Sequence, residues 1–160
     1  MAELTRWQVV DLVNRPGKLW LVGFDLSGLN LSRVNLTDAD LEGSNLTGTI
    51  LTRATLDGAN LEGANLNKAV MGGASLIRAN LMSAKLIRTD LTGAKLEGAN
   101  LFRADLSDAS LIGANLYNAN LRQSNLSTTN LTDANLRGAV LPDGSIGTSR
   151  TGQLRHIQPR

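Results

Sequence analysis

The stretch Ala59-Asn60-Leu61-Glu62-Gly63-Ala64-Asn65-Leu66 holds nearly two copies of one five-residue unit, and that unit decides the fold. It continues in both directions without a slip. From Leu26 to Leu141 every fifth residue is leucine, Met71 excepted, with Leu21 before the run and Ile146 after it in the same register. A short fixed period marks a repeat architecture and takes precedence over local secondary-structure signals. A period of five suits neither regular element. On an α-helix residues five apart are rotated by roughly 140°, so the leucines would spiral round every side. On a continuous strand they would alternate between faces. Glycine at many of the intervening positions also argues against a long helix. The chain must therefore bend once per unit, so that each leucine points at a shared axis.

The rest of the unit supports this. Two residues before each leucine, from Ala39 to Ala139, stands Ala, Ser or Thr. Between that small residue and the leucine stands a polar one, most often Asn or Asp. Small-in, polar-out, leucine-in is a strand three residues long. The two residues that follow carry much of the Gly, Ser, Thr, Asp and Arg, which suits a corner.

Stretches such as Ala59-Asn60-Leu61-Glu62-Gly63 and Ala114-Asn115-Leu116 resemble the A-(D/N)-L-x-x consensus of pentapeptide-repeat proteins. The resemblance runs through about three quarters of the chain. It implies an all-β solenoid, a right-handed quadrilateral β-helix with four units per coil and about six coils. Stacked at the ~4.8 Å spacing of neighbouring strands, six coils make a rod of roughly 29 Å. Counting in twenties offers an independent check. Ile50, Val70 and Ser110, with Thr55, Ser75 and Lys95, all lack Asn or Asp at the polar position and fall in two columns. A third column reads Asp40, Asn60, Asn80, Asn100 and Asn120.

Three segments follow: an N-terminal cap over 1–20, the β-helix over 21–146, and a polar tail over 147–160. Solenoids need terminal caps. Residues 3–14 read as a short amphipathic helix with Leu4, Trp7, Val10, Leu12 and Val13 apolar, ended by the segment containing Pro16. The inward small position begins large, as Phe24, Leu29 and Val34. The helix is expected to cover that broad apolar end, with Trp7 and Trp20 as the plug. After Leu141, Pro142-Asp143-Gly144 signals a turn. Leu154 and Ile157 of the tail could fold back over the last coil.

The chain has 160 residues, sixteen basic and fourteen acidic, no cysteine and one histidine, His156. A single histidine removes histidine-based triads and multi-histidine metal sites, and no Walker-type glycine spacing occurs. No enzyme activity, metal or cofactor is expected. No apolar run approaches a membrane span, and the start is unlike a secretory signal, so a cytoplasmic location is expected. Some pentapeptide-repeat proteins mimic DNA and bind DNA gyrase, and that resemblance implies a strongly acidic rod. A net charge of +2 does not fit it. A gyrase- or topoisomerase-directed DNA mimic therefore stands as the alternative. Nucleic acid is not expected as a partner either: Lys85 and Arg88 stack beside Asp105 and Asp108 as charge pairs of a solvated face, and few aromatics are available to stack on bases.

Apolar residues at outward positions remain. Ile77, Met82, Ile87, Phe102, Ile112 and Tyr117 each follow a core residue, forming a belt within about two coils. Met82 and Phe102 are twenty apart and should touch, with Arg103 beside them. So should Ile50 and Val70, on another side. Contiguous exposed apolar patches usually mark interaction sites. The sequence points to a noncatalytic interaction or scaffold module with a protein partner, its candidate contact residues being Met82, Phe102, Arg103, Ile50 and Val70. The chain is expected to be a monomer or an end-to-end dimer through its C-terminal coil.

Overall fold

The structure, a computed structural model, describes residues 5–14 and 17–148. Glu3, Leu4, Pro16 and the tail from 149 onward, with Leu154, His156 and Ile157, lie outside the described residues. Parallel bridges join each polar position to the one twenty residues later, from Trp20 with Asp40 to Asn120 with Val140. Twenty residues therefore make one coil of four units, and the chain is a right-handed quadrilateral β-helix. The leucines from Leu21 to Leu121, with Met71, are buried on its axis, and the inward alanines fill the space between them.

The repeat satisfies its own backbone. In the unit 60–64, Asn60 N–H donates to the Ala39 carbonyl of the coil before at 2.9 Å, and Leu61 N–H to the Asn80 carbonyl of the coil after at 2.7 Å. Gly63 N–H donates to the Met82 carbonyl at 2.9 Å, and Ala64 N–H closes the corner onto the Leu61 carbonyl at 3.1 Å. The fifth donor, Glu62 N–H, is taken by the Asn60 side-chain oxygen at 3.3 Å. All five N–H groups are thus paired, as a buried solenoid backbone requires. The last bond explains why Asn or Asp precedes the leucine: its side chain supplies the acceptor that the next coil does not. At two of the units that lack one, the coil before steps in. Asp57 accepts from Ile77 N–H across from Ser75, and Asn67 accepts from Ile87 N–H across from Lys85, both at 2.9 Å.

Each corner has φ above zero at its third residue, as at Gly63 with φ 63, which defines a type II turn. Glycine is the natural occupant, yet Arg53 and Lys68 also stand there with φ 57 and 60. Threonines at the inward small position are tolerated because their hydroxyls find carbonyls. Thr49, Thr89 and Thr129 donate to the carbonyls of Leu26, Leu66 and Leu106, each at 2.8 Å.

At the N-terminal end one helix, α1 (Arg6–Val13), is shorter than the 3–14 expected. Thr5 caps it in a reciprocal capping box with Gln8: the Thr5 oxygen accepts from Gln8 N–H, and Gln8 Oε1 accepts from Thr5 N–H at 2.8 Å. Val9 is fully buried in the core, and Leu12 and Val13 pack partly buried against it with Phe24, Leu29 and Val34. The helix therefore covers the first coil, but not through its tryptophan. Trp7 is 75% exposed and Trp20 64% exposed, so the expected indole plug is corrected. Two residues are roughly 200° of helix, and turning Val9 inward turns Trp7 out. Trp20 occupies the outward polar position of its unit.

The C-terminal end also departs from the expected register. Ile146 is 56% exposed and pairs antiparallel with Val140, so it is not a further core residue. The cause is the turn at Pro142-Asp143-Gly144. Gly144 N–H bonds the Leu141 carbonyl at 2.8 Å, and the Asp143 carboxylate accepts from the Ser145 N–H and hydroxyl at 2.9 and 2.6 Å. Those two bonds, the hydroxyl first, hold the Asp143 pKa below the ordinary carboxylate value. The chain then returns along its own last strand, with Gly138 N–H donating to Gly147 and Gly147 N–H to Ala139, both at 2.8 Å.

Candidate functional site

Side chains before and after each leucine point outward, so each side of the rod carries two columns of residues. On the first face, over core residues Leu21 to Leu141, one column is an amide ladder. Asn60 donates to Asp40, Asn80 to Asn60, Asn100 to Asn80 and Asn120 to Asn100, each at 3.1 Å. The neighbouring column reads Val22, Glu42, Glu62, Met82, Phe102, Arg122. Glu42 and Glu62 lean onto the ladder and accept from Asn60 and Asn80 at 3.4 and 3.1 Å.

Met82 and Phe102 follow one another in that column, their strands tied by Ser83 N–H to the Phe102 carbonyl at 2.9 Å. Both are half-buried. The Arg103 guanidinium lies 5.0 Å from the centre of the Phe102 ring, and its Nε donates to Gln123 at 2.8 Å. A cation over a ring face is attracted to it, by about 0.5–1 kcal/mol at an exposed site. These three candidate residues are therefore one cluster. Along the rod the face runs from acidic (Asp40, Glu42, Glu62) through apolar (Met82, Phe102) to basic (Arg103, Arg122).

Ile50 and Val70 are bridged on the third face, 37% and 39% exposed, separate from that cluster. The belt of six apolar residues does not hold together as one patch. Ile112 lies on the third face, Ile87 on the second, and Ile77 and Tyr117 on the fourth with Glu97 between them. Arg88 meets Asp108 at 3.5 Å. Lys85 stands beside Asp105 in the ladder, where Asp105 instead accepts from Asn125 at 3.0 Å.

The sequence did not mark Trp20 and Val22 as surface residues, yet they head the first face, 64% and 51% exposed. The signal was present, since Trp20 stands five residues before Asp25 in the polar register. Lys18 bridges the indole and the acidic end, 4.5 Å from the ring centre and 3.6 Å from the Asp40 carboxylate. A cleft of about 360 Å³ lies between α1 and the first coil, lined by Val10, Val13, Asn14, Ser32, Arg33, Val34 and Asn35. Among the described residues no group of three or more His, Cys, Asp or Glu could hold a metal ion, and no helix is long and apolar enough to cross a membrane.

Comparison with known sequences bears directly on this architecture. Pentapeptide repeats match in eight copies, over residues 21–53, 30–67, 59–98 and 104–142. The chain belongs to the pentapeptide-repeat family. Among solved structures, this pentapeptide-repeat protein is similar to HetL of the cyanobacterium Nostoc sp. strain PCC 7120, which is involved in heterocyst differentiation regulation. The identity is 36% over 83% of this chain and 76% of HetL, with a TM-score of 0.53. It is also similar to Rfr23 of the cyanobacterium Cyanothece 51142, at 31% identity over 76% of this chain and 90% of Rfr23, TM-score 0.59. A third neighbour, alr5209 of Nostoc PCC 7120, shares 31% identity over 66% of this chain and 84% of its own, TM-score 0.60. Among curated proteins nothing matches.

Proposed function

We propose that this pentapeptide-repeat protein is a noncatalytic protein-interaction module that docks a protein partner through the first face of its β-helix. A cytoplasmic location belongs to the same proposal. One observation carries it: Met82 and Phe102 form a continuous apolar step on a flat, hydrogen-bonded face, with Arg103 stacked on the ring. Phe and Arg are enriched at interfaces, and interface energy concentrates in a few such anchors. The asparagine ladder holds the strip rigid, which lowers the ordering cost of binding. Involvement in regulation, as stated for HetL, suits a protein that acts by contact. The charge pattern supports this reading over a DNA mimic, since acid is confined to one end of the face and the net charge is +2.

The test replaces Phe102 by Ala and measures partner capture and thermal unfolding side by side. An anchor in a partner pocket should cost about 2 kcal/mol or more of binding. The fold should change little, because the ring lies outside the leucine core. Lost stability with intact binding would show that Phe102 serves the coil and not a partner.

A further inference from the structure

We infer that the partner of the first face is a second copy of this chain, bound antiparallel about a two-fold axis lying in the interface. The inference rests on the docking reading above and names its occupant. A two-fold interface must be self-complementary. A two-fold axis in the interface and across the rod reverses the coil order while each column faces itself. With the axis between the Met82 and Phe102 coils, Met82 of one copy meets Phe102 of the other, and Glu62 meets Arg122. The inner rungs then match, while at the outer edge Asp40 and Glu42 fall opposite Val140 and Pro142. Asn80 meets Asn100 and Asn60 meets Asn120, amide groups that can both donate and accept. On one flank Arg103 meets Ser83 and Gln123 meets Gly63; on the other Arg78 meets Gly98 and Asp38 meets Gly138. No like charges oppose one another.

Reversal is what makes the face complementary. A parallel pairing would bring the acidic ends together at Glu42 and Glu62 and the basic ends together at Arg103 and Arg122, and opposed like charges cost affinity. The self-paired column from Glu62 to Arg122 spans three coil spacings, roughly 14 Å at ~4.8 Å each. Such a strip is at the small end of specific interfaces, so the dimer is expected to be weak, with Kd on the order of 10–500 µM. It should weaken further with salt, since its ion pairs are at the rim.

Sedimentation equilibrium from about 10 µM to about 1 mM tests this with three samples of the full chain. Wild type should show a reversible monomer–dimer equilibrium. Glu62→Arg sets arginine against Arg122, and Arg122→Glu sets glutamate against Glu62, so each variant alone should raise Kd at least tenfold. An equimolar mixture of the two should recover wild-type association, because in the mixed dimer both pairs are again opposite in sign. Thermal unfolding of each variant confirms that it is folded, and recovery in the mixture gives the same answer. A wild type that stays monomeric at the highest concentration would overturn the second-copy inference. So would a dimer that persists in both single variants, which would place the contact on another face or at an end. So would two weakened variants that fail to recover on mixing. None of these outcomes touches the docking face itself, which stands or falls on the Phe102→Ala capture experiment.

Discussion

Replacing Asn100 by Ala removes an interior rung of the first-face ladder and leaves the backbone of the coil in place. Three bonds disappear: Nδ2 to Asn80 at 3.1 Å, Oδ1 from Asn120 at 3.1 Å, and Oδ1 from Phe102 N–H at 3.3 Å. A neutral hydrogen bond is worth about 1 kcal/mol net. Phe102 N–H also loses its side-chain acceptor, a penalty softened because the residue is only half-buried. The sum is about 2–3 kcal/mol, read as a shift in the urea midpoint. Asn100→Asp separates the parts of that sum. A carboxylate still accepts from Asn120 and Phe102 N–H but loses the bond to Asn80 and sets a second acceptor against its oxygen. An Asn100→Ala protein within about 0.5 kcal/mol of wild type would refute the reasoning, placing all of the coil's stability in backbone bonds and leucine burial.

Two further predictions concern the corners and the cap. At the positive-φ corner position, Lys68→Gly should stabilise the fold by about 0.5–1 kcal/mol and Gly63→Ala, with open space around its Cβ, should destabilise it by a similar amount; equal and opposite shifts in the urea midpoint check the pair. Val9→Ala should cost about 1–3 kcal/mol and Trp7→Ala well under 1 kcal/mol, because the valine is buried and the indole is 75% exposed; thermal unfolding of the two variants decides it.

The axis of this fold was legible because one leucine in five cannot serve a helix or a long strand, and the twenty-residue coil because exceptions such as Ile50 and Val70 recur in columns. The reason for the Asn and Asp rule was less visible. It depends on a donor, Glu62 N–H in one unit, that no neighbouring coil accepts. Two of its exceptions, Ser75 and Lys85, are repaired from twenty residues away by Asp57 and Asn67. The ends misled for physical reasons. Trp7 and Val9 are both apolar, and only the docked helix phase shows which one is buried. Ile146 keeps the numerical register, but Pro142 and the Asp143–Ser145 bonds reverse the chain before it can reach the axis. Of the candidate contact residues, the pairing of Met82 with Phe102 and of Ile50 with Val70 follows from the coil length. The acidic-to-basic polarity of the first face appears only when its columns are read together.

Photo-crosslinking in the native cell tests most directly which face this protein uses. A photoreactive residue is placed in turn at Phe102 on the first face, Ile87 on the second, Thr52 on the third and Tyr117 on the fourth. Crosslinks concentrated at Phe102, and lost when Arg103 is replaced by Ala, are the expected result. Crosslinks concentrated at Thr52 or Tyr117, with Phe102 silent, would contradict the account and move the interaction surface to another side of the rod.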